Sequence, residues 1–215
     1  MTEEVKPRRT YRSPTRAAGA ARTRARIVEA ARALFLELGF SDTAITAIAQ
    51  RAGVAPETVY SIYRTKAGVL EAVVRATVQR DDEPEDPLQR RWVKRLLRFP
   101  DLHARMIGFA RHTAQTTELT SPIYAIIASA GTGESELDDL QRTLLDMRFD
   151  GQREIMIALA HGQQFRPGLT AEHAADTFSA LASPELHHLL TVSRGWSQRR
   201  YAQWLEQIVD AALLE

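Results

Sequence analysis

The chain has no cysteine, which excludes a disulfide framework, a zinc site with thiolate ligands and a cysteine nucleophile. It also lacks any apolar run near the roughly 18 residues that a membrane-spanning helix needs. Its N-terminal residues are charged, unlike those of a secretory signal. Apolar and charged residues are present at ordinary levels, 44% and 26%, so the chain is not intrinsically disordered. These features predict a soluble, cytoplasmic, globular protein.

Charge is distributed unevenly along the chain. Residues 1–80 contain 14 Lys/Arg and 7 Asp/Glu, whereas residues 81–215 contain 14 and 20, although the net charge of the whole chain is only +1. A basic third is typical of a module that binds a polyanion such as nucleic acid. Chance clustering of solvated charges would give the same counts. The asymmetry therefore favours two modules with different partners but does not identify the partners.

Apolar residues recur with a helical period, without an alternating strand pattern or an internal repeat. Residues 1–21 have no such period, and we predict a flexible basic arm that either solubilises the chain or lies along DNA. The acidic segment 81–87, with two prolines, predicts a domain boundary that is a hinge or a plain link. Ser121, Thr170 and Ser197 are expected to cap helices. The predicted helices lie near residues 23–38, 45–52, 56–63, 66–80, 88–98, 101–117, 122–130, 135–161, 171–182, 184–192 and 198–213, with Gly131-Thr132-Gly133 as a break.

Two short helices stand close together in the basic part of the chain. The first has its apolar face from Ile45 to Ala52 and ends at Gly53, and the second begins at Pro56. Glycine and proline placed in this way are typical of a helix-turn-helix, whose second helix presents its N-terminal residues to base edges. An ordinary helical hairpin can have the same glycine and proline, and the basic charge of the segment favours the DNA-binding alternative. We therefore predict an all-α fold that consists of a helix-turn-helix domain at 22–66, a connecting helix at 67–80 and a larger helical bundle at 81–215.

About 50 residues of this region resemble the tetracycline-repressor (TetR) family of bacterial regulators. The first helix of that family is matched by Arg26-Ile27-Val28-Glu29-Ala30-Ala31, Leu34-Phe35 and Gly39-Phe40. The following positions match at the spacing of the family: Ile48-Ala49, Ala52-Gly53-Val54, Thr58-Val59-Tyr60, Tyr63, Lys66 and Leu70. Near the C-terminus, Ser183-Pro184-Glu185-Leu186 and Arg194-Gly195-Trp196-Ser197 are similar to one subgroup of these regulators.

The resemblance implies a homodimer that places two helix-turn-helix domains in successive major grooves of a palindromic operator. It implies that side chains at the start of the recognition helix read bases and that others hold phosphates. The implied DNA contacts are Thr46, Pro56, Glu57, Thr58 and Ser61 near the bases, and Tyr60 and Lys66 on phosphates. The sequence departs from the family at Ala55, where a capping side chain is usual, and at Ile62, where the family often has a polar residue.

The resemblance also implies a pocket for a small effector in the larger domain. Helical spacing groups apolar and aromatic residues that suit an apolar or aromatic ligand. A stripe of this kind more often belongs to plain core, so the resemblance and not the spacing is what implies a pocket. The candidate pocket residues are Trp92, Leu96, Phe99, Met106, Phe109, His112, Tyr124 and Met147. Apolar faces near the end of the chain suggest the dimer interface, with Phe178, Leu181, Leu189, Trp204, Leu205 and Ile208 as candidates.

Catalytic and metal-binding motifs are missing from the sequence. We find no metalloprotease pattern, no phosphate-binding glycine loop and no arrangement of a nucleophile with its base. We expect structural histidines, no cofactor and no metal. The function that the resemblance implies is a ligand-responsive regulator, most simply a repressor that its effector releases from DNA. Two alternatives are a helical enzyme or small-molecule carrier without specific DNA binding, and a DNA-architectural protein whose affinity depends on salt but not on sequence.

Overall fold

The structure is a computed structural model that describes residues 14–79, 83–130 and 135–214. These residues form helices connected by turns, without a strand among them, which confirms the predicted all-α class. None of these helices is long and apolar enough to cross a membrane. The α-helices are α1 (Pro14–Leu38), α2 (Ile45–Ala52), α3 (Pro56–Tyr63), α4 (Lys66–Gln79), α5 (Arg91–Leu96), α6 (Leu102–Ser129), α7 (Ser135–Ala160), α8 (Ala171–Leu181), α9 (Pro184–His188) and α10 (Gln198–Leu213).

The N-terminal helices pack around one apolar cluster. Ile27 and Phe35 of α1, Val59 of α3 and Leu70 of α4 are almost completely buried, and the rings of Phe35 and Phe40 stack at 5.9 Å. The same cluster includes residues of α6 and α7, so the core of the first four helices continues into the larger domain. Burial of each such side chain contributes about 1.5–3 kcal/mol to folding. α4 therefore contacts both α1 and the helices α6 and α7 of the larger domain.

A second cluster holds the larger domain together around α6. This helix is 28 residues long, and α5, α7, α9 and α10 all contact it. Its buried Phe109 packs against Phe178 of α8, while Tyr201, Leu205 and Val209 of α10 fill the other side. On α10 these buried residues recur every four positions, which is the period of a helix face.

Several helix boundaries differ from those predicted. α1 begins at Pro14, so residues 14–21, which we expected to be part of a flexible arm, are helical. Residues 1–13 of that arm lie outside the described residues, as do residues 81–82 of the acidic segment and the Gly131-Thr132-Gly133 break. The predicted helices 101–117 and 122–130 are one helix, because Ser121 does not act as a cap. Its hydroxyl donates instead to the carbonyl of Pro184 at 3.0 Å, which fastens α6 to α9.

The other two predicted caps are confirmed. The hydroxyl of Thr170 accepts a hydrogen bond from the backbone N–H of His173, and that of Ser197 accepts one from Arg200. Each bond of this kind is worth about 1 kcal/mol.

The 88–98 helix is shorter than predicted: a 3₁₀ turn at Pro87–Gln89 precedes α5, which ends at Leu96. A π-helical segment, Leu189–Ser193, follows α9.

Candidate DNA-binding and effector sites

The turn between α2 and α3 has the geometry of a helix-turn-helix. Gly53 closes α2 with φ 62°, a left-handed conformation that glycine adopts without strain. The guanidinium of Arg26 in α1 donates hydrogen bonds to the carbonyls of Ala52 and Gly53. These bonds fix the end of α2 and thereby the start of α3. The role of Arg26 was missed in the sequence, although the residue belongs to the matching segment.

One face of α3 is available to a partner. Val59 is fully buried and anchors the helix, whereas Glu57, Tyr60 and Ser61 are exposed. Pro56 occupies the first position of the helix, and Ala55 gives it no side-chain cap, as the departure from the family predicted. Thr46 on α2 is also exposed.

Thr58 and Ser61 lie together on α3. Thr58 is partly buried, and its backbone carbonyl accepts a hydrogen bond from the hydroxyl of Ser61 at 2.9 Å. The Ser61 oxygen remains able to accept a hydrogen bond from a base. The residues predicted on α3 for base and phosphate contacts therefore all reach the surface at least in part.

Lys66 has a structural role that the sequence did not suggest. Its ammonium group donates to the carbonyls of Phe40 at 2.7 Å and Ser41 at 3.1 Å, and it lies 4.3 Å from the centre of the Phe40 ring. Lys66 thus joins the first residue of α4 to the turn after α1. Because an ammonium has three donors, one N–H remains for a phosphate.

A cavity of about 390 Å³ lies between α4, α6, α7 and the segment before α5. This volume is in the range of sites for small molecules. Five of the eight predicted effector residues line it: Trp92, Phe109, His112, Tyr124 and Met147.

The other three predicted residues lie elsewhere. Leu96 and Met106 are buried in the core, and Phe99 is 42% exposed on the surface. Leu96 lies against Gly108 of α6. Phe99 follows the end of α5, so the helical period that placed it beside Trp92 does not extend that far.

Aromatic rings form one wall of the cavity. The indole of Trp92 stacks on the imidazole of His112, with centroids 3.7 Å apart and planes 17° apart. It also lies nearly parallel to Phe109 at 5.9 Å, and Phe109 in turn stacks on Phe178 at 4.6 Å. Flat, parallel rings of this kind suit a planar apolar group.

Arginines form much of the remaining wall, and sequence reasoning missed them. Arg75, Arg90 and Arg148 line the cavity, together with the amides of Gln79 and Gln152. A signal for Arg148 and Gln152 was present: they follow the buried Leu144 by four and eight residues and so share its inward helix face. Arg75 is paired with Glu71, Nε to carboxylate at 2.7 Å.

Arg148 is the most enclosed of these arginines. One terminal nitrogen donates to the Ser179 carbonyl at 3.0 Å and to the Gln152 side chain at 3.3 Å. Its buried Nε has no hydrogen-bond partner. Burial lowers the pKa of Arg148, against the opposing effect of Tyr124, Glu185 and Tyr201. Burial likewise raises the pKa of the neighbouring Tyr124 to about 12.

Threonines of α6 complete the lining. The hydroxyl of Thr116 donates to the His112 carbonyl, that of Thr120 to the Thr116 carbonyl, and that of Thr117 to the Ala182 carbonyl, at 3.0 to 3.4 Å. In each case the hydroxyl hydrogen is used within the protein. The oxygens are left with lone pairs that can accept a hydrogen bond.

The sequence and the fold both match known regulators. Residues 27–73, which contain the helix-turn-helix, match the family model of bacterial regulatory proteins, tetR family. The helix-turn-helix segment is therefore similar to the DNA-binding region of TetR-family regulators. No curated protein matches the chain at a significant level.

Solved structures share the fold of almost the whole chain. A TetR-family regulator from Rhodococcus sp. is 15% identical over 89% of this chain and 98% of its own, with a TM-score of 0.69. NalD of Pseudomonas aeruginosa, the secondary repressor of the MexAB-OprM multidrug efflux pump, is 23% identical over 92% and 98%, with a TM-score of 0.64. A regulator from Saccharomonospora viridis in complex with choline is 20% identical over 91% and 99%, with a TM-score of 0.63.

The residues predicted for dimerisation divide into two groups. Phe178 and Leu205 are completely buried within one chain, so they have no surface to offer a partner, and their prediction as interface residues is wrong. They lie on the inward faces of α8 and α10. Leu181, Trp204 and Ile208 are partly exposed, and Leu189 is 47% exposed.

Proposed function

We propose that this chain is a dimeric, ligand-responsive transcriptional repressor that binds a palindromic operator and leaves it when a small molecule occupies the cavity. The observation that carries the proposal is the position of α4. Its last turns, with Arg75, Val78 and Gln79, form a wall of the cavity. Its first residue, Lys66, is bonded to the turn after α1, beside the helix-turn-helix.

α4 therefore connects ligand binding with the position of α3. A 14-residue helix is about 21 Å long, so a small displacement at the cavity end is transmitted to the DNA-binding end of a rigid rod. The two recognition helices of a dimer must stay about 34 Å apart to enter successive major grooves. A coupling of about 1–3 kcal/mol would weaken operator binding by roughly 5- to 150-fold.

Within the proposed complex, each exposed residue of the helix-turn-helix has a role. Tyr60 and the remaining N–H of Lys66 bind phosphates and so set the register. Glu57, Thr58 and Ser61 face base edges, with Pro56 at the start of the helix and Thr46 of α2 beside them. Glu57 accepts a hydrogen bond from a cytosine amine, because an anion has no favourable contact with a phosphate.

The dimer is proposed to form through the outer side of the last helices. Trp204 and Ile208 are four residues apart on the side of α10 that the core leaves partly exposed, and Leu181 and Leu189 are apolar surface near the ends of α8 and α9. Val192, 66% exposed, extends this apolar surface. Isologous packing of such faces is the usual arrangement in a two-fold dimer.

Two relatives support the proposal through what their descriptions say. NalD is a repressor, and the Saccharomonospora protein was crystallised with a small molecule, choline. TetR-family regulators are generally not enzymes, and we propose that this chain is likewise a non-enzymatic regulator that acts on DNA in the cytoplasm. His187 supports structural histidines: its imidazole is hydrogen-bonded to Gln198 and packs edge-on against Tyr201.

The proposal is tested by binding to the inverted repeats in the upstream region of the protein's own gene. In a polarisation assay with labelled duplexes, the wild type should prefer one repeat over scrambled DNA. Tyr60→Ala should weaken binding to all duplexes and leave the salt slope unchanged, because a neutral phenol displaces no counterion from DNA. Thr58→Val should change the preference at one position. Phe99→Ala, an exposed aromatic residue far along the chain from α3, is the control. Equal affinity for repeat and scrambled DNA would refute the proposal.

A further inference from the structure

The charge of the cavity wall is unbalanced. Three arginines line it against one acidic residue, Glu85, which is exposed and forms no ion pair in the described part of the chain. Arg75 is neutralised by Glu71. Arg90 and Arg148 have no carboxylate within 4.0 Å among the described residues. Carboxylates act on them only from farther away: Glu83, Asp86 and Glu154 on Arg90, and Glu185 alone on Arg148. Their hydrogen bonds go to carbonyl and amide oxygens, which carry no net charge.

An unpaired guanidinium in an enclosed place is unfavourable. Arginine cannot lose its proton in a protein, so it cannot escape the cost of burial by becoming neutral. The Nε–H of Arg148 is buried without an acceptor, and a buried donor left unpaired costs free energy. A carboxylate in the cavity would place a negative charge next to this guanidinium, and it would give Nε–H an acceptor once the side chain turns to expose that atom.

The second feature of the cavity is its aromatic wall. Trp92, His112 and Phe109 present near-parallel rings to the same space that Arg148 lines. A planar ring can therefore lie against the stack while an attached anionic group reaches the arginine. We propose that the effector of this protein is an aromatic carboxylate, with its acid group on Arg148 and its ring against the Trp92 stack. This inference rests on the proposed function in taking the cavity as the effector site.

The test compares an acid with its neutral analogue. 2-Naphthoate and 2-naphthamide have the same ring and nearly the same size, and octanoate carries the acid without a ring. Binding to the full-length protein is measured by isothermal titration calorimetry. We expect 2-naphthoate to bind roughly tenfold or more tightly than either of the other two, because a charge-assisted hydrogen bond is about twice as strong as a neutral one.

Variants then locate the acid group. Arg148→Met should lower the affinity for 2-naphthoate at least tenfold and leave that for 2-naphthamide within twofold, which also shows that the cavity is intact. Arg148→Lys should retain part of the preference for the acid. Arg153→Met is the matched control, because Arg153 lies on the same helix but is exposed and pairs with Glu172.

Each contrary outcome overturns the inference. It is wrong if the amide or octanoate binds as well as the acid, if no probe binds up to millimolar concentration, or if Arg148→Met weakens acid and amide equally. Operator binding is measured separately by polarisation. Acid binding that depends on Arg148 but leaves operator affinity unchanged would refute the proposed repressor mechanism and leave the ligand class standing. If only neutral or cationic compounds released the protein from its operator, the inferred ligand class would be wrong and the proposed repressor mechanism would stand.

Discussion

Replacement of Lys66 by methionine is expected to destabilise the protein by about 2–3 kcal/mol. Methionine keeps most of the aliphatic stem but removes the ammonium, which donates to two carbonyls and lies over the Phe40 ring. A hydrogen bond from a charged group is worth about 1.5 kcal/mol or more, and the more exposed bond to Ser41 is worth less. The cation–π contact adds about 0.5 kcal/mol. The Phe40 carbonyl still accepts from the N–H of Thr43, which limits the penalty.

Urea denaturation followed by circular dichroism measures this loss. In thermal unfolding of a chain of this length, a loss of 2–3 kcal/mol corresponds to a fall of about 5–10 °C in Tm. Lys94→Met is the matched control, because the Lys94 side chain is exposed and forms no hydrogen bond or ion pair among the described residues. The stability of this variant should stay within about 0.5 kcal/mol of the wild type. The reasoning about Lys66 is refuted if Lys66→Met is no less stable than Lys94→Met at the same protein concentration.

Two further predictions concern the larger domain. Phe178→Ala should lower the free energy of unfolding, measured by urea denaturation, by about 3–5 kcal/mol and leave the proposed dimer intact. Ile208→Asp should instead convert the dimer to monomers in analytical ultracentrifugation. The reverse pattern would contradict the assignment of Phe178 to the core and Ile208 to the interface. Burial raises the pKa of Tyr124 from 10.0 to about 12, so its stabilising effect is complete below pH 10 and is lost as the pH rises to about 12. Tyr124→Phe should therefore show a smaller loss of stability between pH 9 and 11.5, and an equal loss in both proteins would contradict the assignment.

Much of the fold could be predicted from the sequence because its signals are local. Gly53 and Pro56 mark the turn of the helix-turn-helix, and Thr170 and Ser197 cap the helices that they precede. Ser121 and Pro122 gave the same local signal and were misleading. The neighbouring α9 uses the Ser121 hydroxyl, and tertiary packing of this kind leaves no trace in the nearby sequence.

The effector site was predicted only in part for a related reason. Apolar periodicity finds inward-facing residues but does not separate a cavity wall from plain core, as Met106 and Phe109 illustrate on one helix. It also gives no weight to charged residues on an inward face, so Arg148 was missed. The interface prediction failed similarly at Leu205, since both sides of α10 are apolar and only the packing decides which side is covered.

The threonine hydroxyls of α6 give the effector cavity a polarity of its own. The hydroxyls of Thr116, Thr117 and Thr120 each donate a hydrogen bond to a protein carbonyl. Their oxygens can therefore only accept a hydrogen bond from a ligand. A negatively charged group is therefore repelled from that wall and drawn to the arginines, whereas an amine or hydroxyl of the same ligand is favoured there. The cavity can thus fix the orientation of a bound molecule, and exchange of one threonine for valine would weaken this preference while keeping the shape of the cavity nearly unchanged.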